Sequence, residues 1–216
     1  MNQLRKTVYF LSVCVFVLNS CANDNFSERD ISALSTKELI LLLENPEDPE
    51  NLFGTITKEL SKRGPSASEA APALGVALTY RRRDSYLAGF AVMAIGPNAK
   101  SAIPILVSEL SHERSTVRRY AALSLGTIGQ SAECAVPQLA SLLWNPDSKI
   151  RSAAAISIEA ITGIDLVDPE AKLDPQTPGV IPLDEPEGIV SGGVREWWLN
   201  NGQNMDWPKE NCEQLK

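Results

Sequence analysis

One eleven-residue frame occurs three times in the sequence at nearly equal intervals. The copies fit G-x-x-A-x-x-A-x-P-x-L and begin at Gly64, Gly96 and Gly129. A period of roughly 20–50 residues is typical of a stacked array, because a single helix pair cannot bury its own apolar face. The copies are GPSASEAAPAL at 64–74, GPNAKSAIPIL at 96–106 and GQSAECAVPQL at 129–139.

An apolar periodic run follows or precedes each frame. VRRYAALSLGTIG at 117–129 aligns, at an offset of 33, with the first thirteen residues of IRSAAAISIEAITG at 150–163, and YLAGFAVMAIG at 86–96 keeps the same small and apolar positions. Apolar residues at i, i+3, i+4 and i+7 predict amphipathic helices. A degenerate first copy opens with Ser35 and Glu38, the pattern of a capping box.

Glycine and proline separate these helices. The glycine at the head of each frame is expected to cap the preceding helix at its C-terminus. The proline near the end of the frame is expected to kink the first helix of each pair, because it removes a backbone hydrogen bond. These inner prolines stand at positions 72, 104 and 137.

The sequence predicts an all-α fold, an α-solenoid of about four helix pairs with a C-terminal capping helix. The stretch VREWWLNN is expected to form this cap, with Trp197 and Trp198 covering the last repeat. The acidic, proline-rich stretch before it indicates a loop. The predicted organisation is a signal peptide at 1–20, a linker at 21–34, the repeat array at 35–163, the loop at 164–192 and the capping segment at 193–216.

The frames, together with the pairs Val117-Arg118 and Ile150-Arg151, resemble HEAT repeats, and among them the short variety of phycobilisome lyase-type proteins. The resemblance implies an α-solenoid scaffold that binds other macromolecules. It leaves open, as an alternative, a bilin-lyase-like or chaperone activity on a cofactor-bearing protein. Those lyases act in the cytosol and the shared residues are structural, so a non-catalytic protein-interaction scaffold is the preferred prediction.

Residues 1–20 have the pattern of a secretory signal peptide: basic residues, an apolar run of twelve residues, then small residues. Twelve helical residues span about 18 Å, short of the roughly 30 Å that a membrane core requires. The end of this segment, LNSC at 18–21, resembles the lipobox of bacterial lipoproteins, which implies acylation of Cys21. Ordinary cleavage after Ala22 is the alternative.

The lipobox resemblance implies a protein anchored to a membrane outside the cytoplasm, at the cell envelope. Ala22 after the lipidated cysteine favours the outer membrane where one exists. Two further cysteines, Cys134 and Cys212, would remain in the mature chain. They could pair in an oxidising compartment or remain free thiols.

Neither a catalytic constellation nor a metal or cofactor site is expected. The only histidine, His112, is followed by Glu113 and resembles the histidine-glutamate pairs of the deoxyhypusine hydroxylase family, but one pair supplies too few ligands for two metals. The array at 35–163 has 13 basic and 13 acidic residues, and 164–216 has 4 basic and 11 acidic residues. This balance argues against a nucleic-acid partner.

The turns between paired helices are expected to line one edge of the stack, here called the turn edge. Its excess of basic residues predicts a protein partner with acidic character, anionic lipid headgroups or the chain's own loop at 165–187 as the group that meets it. The residues of this candidate binding face are Arg81, Arg82, Arg83, Arg114, Arg118, Arg119, Lys149 and Arg151.

Overall fold

The computed structural model describes residues 28–44, 50–80, 84–164 and 189–209, together with Cys212. These residues form α-helices and short 3-10 helices, and none of them lies in a strand. The predicted signal peptide, Cys21, most of the acidic loop and Arg81, Arg82 and Arg83 lie outside this range. The α-helices are α1 Glu28–Ala33, α2 Thr36–Leu43, α3 Glu50–Arg63, α4 Ala71–Tyr80, α5 Ser85–Ile95, α6 Ile103–Glu109, α7 Ser115–Ile128, α8 Val136–Ser141, α9 Ser148–Thr162 and α10 Ile189–Asn200.

Eight of these helices form four consecutive pairs, repeats 1 to 4. We call the first helix of a pair the A helix (α2, α4, α6, α8) and the second the B helix (α3, α5, α7, α9). Successive B helices pack side by side, and so do the A helices of repeats 1 to 3, while the A helix of repeat 3 contacts the 3-10 helix that opens repeat 4. The pairs thus stack into two layers. The chain is an all-α solenoid, as predicted, and α10 packs against the last B helix, α9.

Each of repeats 2 to 4 begins with a seven-residue 3-10 helix whose first residue is glycine with positive φ. The fourth residue of this segment, an alanine, has backbone angles outside the helical region. The inner proline follows in the first turn of the A helix, where the missing N–H has no intrahelical partner to lose. The prediction that this proline kinks the helix is therefore wrong. The chain bends at the alanines, Ala67, Ala99 and Ala132.

Small residues set the close spacing of the B helices. A Cβ atom added to Gly126 on α7 would lie 2.8 Å from the Oγ atom and 2.9 Å from the Cα atom of Ser157 on α9. The Ser157 hydroxyl donates a hydrogen bond across the same interface to the carbonyl oxygen of Ala122, at 2.8 Å. Repeats 3 and 4 are thus held together by a contact that only glycine permits.

A disulfide fastens the C-terminal segment to repeat 4. It joins Cys134 and Cys212, whose Cα atoms lie 6.0 Å apart. The equivalent positions in the earlier frames, Glu69 and Ser101, are not buried, and from them Cys134 is expected near the surface. Cys134 is instead buried, because Cys212 is bonded to it.

Three tryptophans form the core of the capping segment. Trp197 is buried, and its ring lies 6.4 Å from the rings of Trp198 and Trp207. The Trp207 indole N–H donates to the carbonyl oxygen of Gly202 at 2.9 Å and folds the chain back on the helix. Trp197 and Trp198 therefore lie in the interior of the capping segment.

Candidate functional site

Two arginines of the turn edge hold the turns themselves. Arg118 donates from Nη1 to the carbonyl oxygens of His112 and Glu113, both at 2.8 Å. Arg151, at the equivalent position of the next repeat, makes the same pair of bonds to the two equivalent turn residues, both at 2.9 Å. Backbone carbonyls of an irregular turn need such donors, because they have no helical partner. These two guanidinium groups therefore stabilise the turns between paired helices.

A third arginine joins successive repeats. Arg114 donates from Nη2 to the carbonyl oxygens of Leu78, at 3.2 Å, and of Thr79, at the end of the A helix of repeat 2. In the capping segment, Arg195 donates from Nε to the carbonyl oxygen of Leu143 in repeat 4, at 2.7 Å. Cations at a helix C-terminus also interact favourably with its macrodipole. Arg114 therefore connects repeats 2 and 3, and Arg195 connects the cap to repeat 4.

The remaining basic residues of the turn edge differ among themselves. Arg119 lies with its guanidinium carbon 5.6 Å from the centre of the Tyr120 ring. Lys149 is exposed at the start of α9. Arg81, Arg82 and Arg83 lie outside the described residues, and their role in binding stays a prediction. The turn edge is thus less free for a partner than the sequence suggests, because Arg114, Arg118 and Arg151 are bonded within the protein.

His112 has a structural role in its turn. Its Nδ1 atom accepts a hydrogen bond from the backbone N–H of Arg114 at 3.0 Å. At the equivalent place in repeat 4, the side-chain oxygen of Asn145 accepts from the backbone N–H of Asp147, also at 3.0 Å. A histidine and an asparagine perform the same task. Across the described part of the chain, no group of three or more His, Cys, Asp and Glu side chains comes together as a metal site.

The outward side of the B helices carries a different kind of surface, here called the B-helix face. Its centre is an aromatic cluster of Tyr86, Phe90 and Tyr120, with ring centres 5.3 to 6.2 Å apart. Phe90 is 47% exposed and Tyr86 is 36% exposed. Tyr120 is half-buried because its ring lies over Gly89, where a Cβ atom would come within 2.8 Å of the tyrosine side chain.

The aromatic cluster is part of a pattern that repeats with the array. Three outward positions recur once per repeat on α5, α7 and α9. The first holds Tyr86, Arg119 and Ser152, the second holds Phe90, Leu123 and Ile156, and the third holds Ala94, Thr127 and Ala160. The second position is apolar in all three repeats, and every one of its side chains is exposed or partly exposed.

Apart from Arg119, the residues of this face were not predicted as binding residues. The register contains a signal for them, since the position of Tyr86 holds Arg119 and Ser152 in the later repeats and the position of Phe90 holds Lys58 in repeat 1. A helix buried on one side keeps its large apolar residues on that side. Large aromatic residues on the opposite side are therefore the informative exception.

A small concavity lies on the A-helix side of the described residues. A cavity of about 210 Å³ is lined by Glu44, Pro72, Ala73, Val76 and Ile105. Ligand pockets usually occupy roughly 300–1,000 Å³, so this cavity suits one side chain of a partner more than a separate ligand.

One helical stretch in the described range, Ser85–Glu109, is long and apolar enough to cross a membrane, with a mean hydropathy of 1.4. It comprises α5, a 3-10 helix and α6, and half of its most apolar part is buried inside the solenoid. Helices that form the core of a soluble domain have the same composition. Its packing within repeats 2 and 3 accounts for its hydropathy.

The comparison with protein families agrees with this geometry. Residues 71–159 match the family model of HEAT repeats. The match begins at the A helix of repeat 2 and ends in the B helix of repeat 4, which supports a HEAT-repeat domain in this part of the chain. HEAT repeats generally mediate protein–protein interactions, through the extended surfaces that stacked helix pairs create. No curated protein matches the chain.

Proposed function

We propose that this protein is a non-catalytic interaction scaffold, anchored by lipid at the bacterial cell envelope, which holds a protein partner on its B-helix face. The observation that carries the proposal is the exposed aromatic cluster of Tyr86, Phe90 and Tyr120 on a HEAT-like array. Exposed tyrosine and phenylalanine side chains supply large contact areas at low conformational cost, and aromatic residues are enriched at protein interfaces.

Three features support the location outside the cytoplasm. The sequence begins with the pattern of a signal peptide, and LNSC at 18–21 resembles a lipobox. The two cysteines that remain after that segment, Cys134 and Cys212, are joined in a disulfide. Disulfides persist mainly in oxidising compartments. The membrane would be the outer membrane in a cell that has one.

Cross-linking in intact cells, followed by capture of the tagged protein, tests the scaffold role. The wild type should retain a defined protein partner, and the double variant Tyr86→Ser, Phe90→Ser should lose it while circular dichroism shows an unchanged helical fold. Capture of a covalently bound chromophore would instead favour the lyase-like alternative. Retention of the partner by the folded double variant would contradict binding at the B-helix face.

The triple variant Arg81→Ser, Arg82→Ser, Arg83→Ser belongs in the same experiment. It removes the three arginines of the turn edge that match nothing in the other repeats. If this variant alone loses the partner, binding lies at the turn edge and the proposed surface is wrong.

The anchor has an independent test. Cys21→Ser should release the protein from membranes and abolish its labelling by a fatty-acid analogue, because stable attachment needs more than one acyl chain. Wild-type protein that takes up no label and still sediments with membranes would exclude the lipid anchor.

A further inference from the structure

The apolar row of the B-helix face crosses three repeats. Phe90, Leu123 and Ile156 occupy the same outward position on α5, α7 and α9. Packed helices lie about 8–10 Å apart, so the three side chains mark points along a line of about 20 Å. A partner that meets all three must present apolar groups at this spacing.

Short side chains flank the row on one side. One helical turn further along the same helices stand Ala94, Thr127 and Ala160, all exposed. Residues four apart on a helix are neighbours, so these small side chains lie directly beside the apolar row. They leave room for the backbone of a partner to approach it.

The two ends of the row differ in charge. In repeat 1, the two outward positions that correspond to Phe90 and Ala94 hold Lys58 and Lys62, and both side chains are exposed. In repeat 4, the two equivalent positions hold Ile156 and Ala160, which carry no charge. The row therefore runs from a positive end in repeat 1 to an uncharged end in repeat 4.

We propose that the partner docks here through one amphipathic helix, with its C-terminal end over Lys58 and Lys62 and its N-terminal end over Ile156 in repeat 4. The proposal rests on the scaffold function proposed above and names the partner segment that this face binds. Residues seven apart on a helix are about 10.5 Å apart along its axis, close to the spacing of the row. The negative end of the helix dipole, with acidic residues in the last turn, then meets the two lysines.

Other extended segments fit the row less well. Side chains on one side of a β-strand recur at about 6.6 Å, which misses the spacing of the repeats. A polyproline helix recurs at about 9.3 Å, but it has no internal hydrogen bonds and docks in grooves lined by aromatic residues. Here the aromatic rings cluster around Phe90 alone, and the row continues with Leu123 and Ile156, so a polyproline helix would meet aromatic rings over only part of its length.

A displayed library of random peptides, each long enough for about five helical turns, is selected against the purified full-length lipidated protein in detergent. The Phe90→Ser protein serves for counter-selection. Enriched peptides should share apolar residues at i, i+7 and i+14, with Asp or Glu in the last turn. For a synthetic peptide of that set, Phe90→Ser should weaken the dissociation constant by about tenfold or more.

The lysines provide the test of orientation. The double variant Lys58→Glu, Lys62→Glu should lower the affinity for the same peptide by roughly three- to tenfold at low salt. Lys100→Glu, an exposed lysine in the 3-10 helix of repeat 3, is the matched control and should leave affinity unchanged. A peptide with its acidic residues moved to the first turn should bind the wild type more weakly.

The inference is overturned if selection enriches proline-rich or alternating peptides, if it enriches none, or if the folded lysine variant binds as tightly as the wild type. Cross-linking in cells separates these results from failure of the scaffold function. A cellular partner that is lost with Tyr86→Ser, Phe90→Ser keeps the scaffold function even where the helical segment is refuted.

Discussion

The turn edge and the B-helix face both consist of residues outside the hydrophobic core, but their side chains have different roles in the structure. On the turn edge, Arg114, Arg118 and Arg151 donate to backbone carbonyls. On the B-helix face, Tyr86 and Phe90 contact chiefly other aromatic rings and remain exposed. Charge that stabilises turns is a poor guide to a binding surface, whereas large exposed aromatic side chains are a better one.

At the C-terminal end of the solenoid, a disulfide connects neighbouring parts of the chain in addition to Arg195. Cys134→Ala with Cys212→Ala should lower the free energy of unfolding by about 4 kcal/mol, because the bond closes a loop with a sequence separation of 78. Urea denaturation without reductant measures this loss. Reductant should bring the wild type to the same midpoint and leave the variant unchanged. Equal midpoints for the two oxidised proteins would show that the cap is held by its tryptophans.

Arg118→Ala should produce the next largest loss, about 2 kcal/mol, because it leaves two carbonyl oxygens of the turn without their charged donor. Arg119→Ala is the matched control on the same helix. Arg119 contacts the Tyr120 ring, and its removal should cost about 0.5 kcal/mol. Thermal denaturation of the two variants separates them. Equal losses would mean that the turn does not depend on the hydrogen bonds of Arg118.

Phe90→Ser should change stability by about 1 kcal/mol or less, since the side chain is 47% exposed and its main loss is the contact with two rings. Leu125→Ala, a fully buried position of the next B helix, is the contrasting control and should cost roughly 2–5 kcal/mol. Both values come from chemical denaturation. A loss of stability in Phe90→Ser as large as that in Leu125→Ala would show that the aromatic cluster belongs to the core.

Trp144→Ser should have the smallest effect, about 0.5 kcal/mol, because its contact is an exposed cation–π pair. The indole is 50% exposed and its ring centre lies 6.0 Å from the guanidinium of Arg195. Arg195 keeps its bond to the carbonyl oxygen of Leu143, so the cap should stay in place. The measurement is the near-ultraviolet spectrum together with the melting temperature. A melting temperature lowered as far as in Arg195→Ala would assign the cap contact to the indole.

The repeat period predicted the fold because stacking reuses one set of local interactions in every unit. Helix order and the glycine caps follow from residues at fixed offsets. The recurrence of the inner proline was read correctly from the sequence, but its effect on the A helix was predicted wrongly. Proline disrupts a helix interior and suits a first turn, and the 3-10 segment before each A helix decides which applies.

The candidate site was predicted less well. His112 and Arg118 are conspicuous by residue type, yet their partners are backbone groups of the same turn, and no pattern of side chains reveals such bonds. Phe90 is inconspicuous, because an apolar residue in an apolar helix is expected to be buried. Which side of the helix faces the neighbouring repeat decides its exposure.

The sequence by itself determined that this chain is a stack of helix pairs, because a short period with recurring small residues can bury its apolar positions only against a neighbouring copy. Tertiary structure decided which residues remain available to a partner. Arg114, Arg118 and Arg151 donate hydrogen bonds to backbone carbonyls, a disulfide buries Cys134, and the packing of successive B helices leaves Tyr86 and Phe90 on the exposed side. Such availability depends on distances between separate parts of the chain, which a local pattern does not contain.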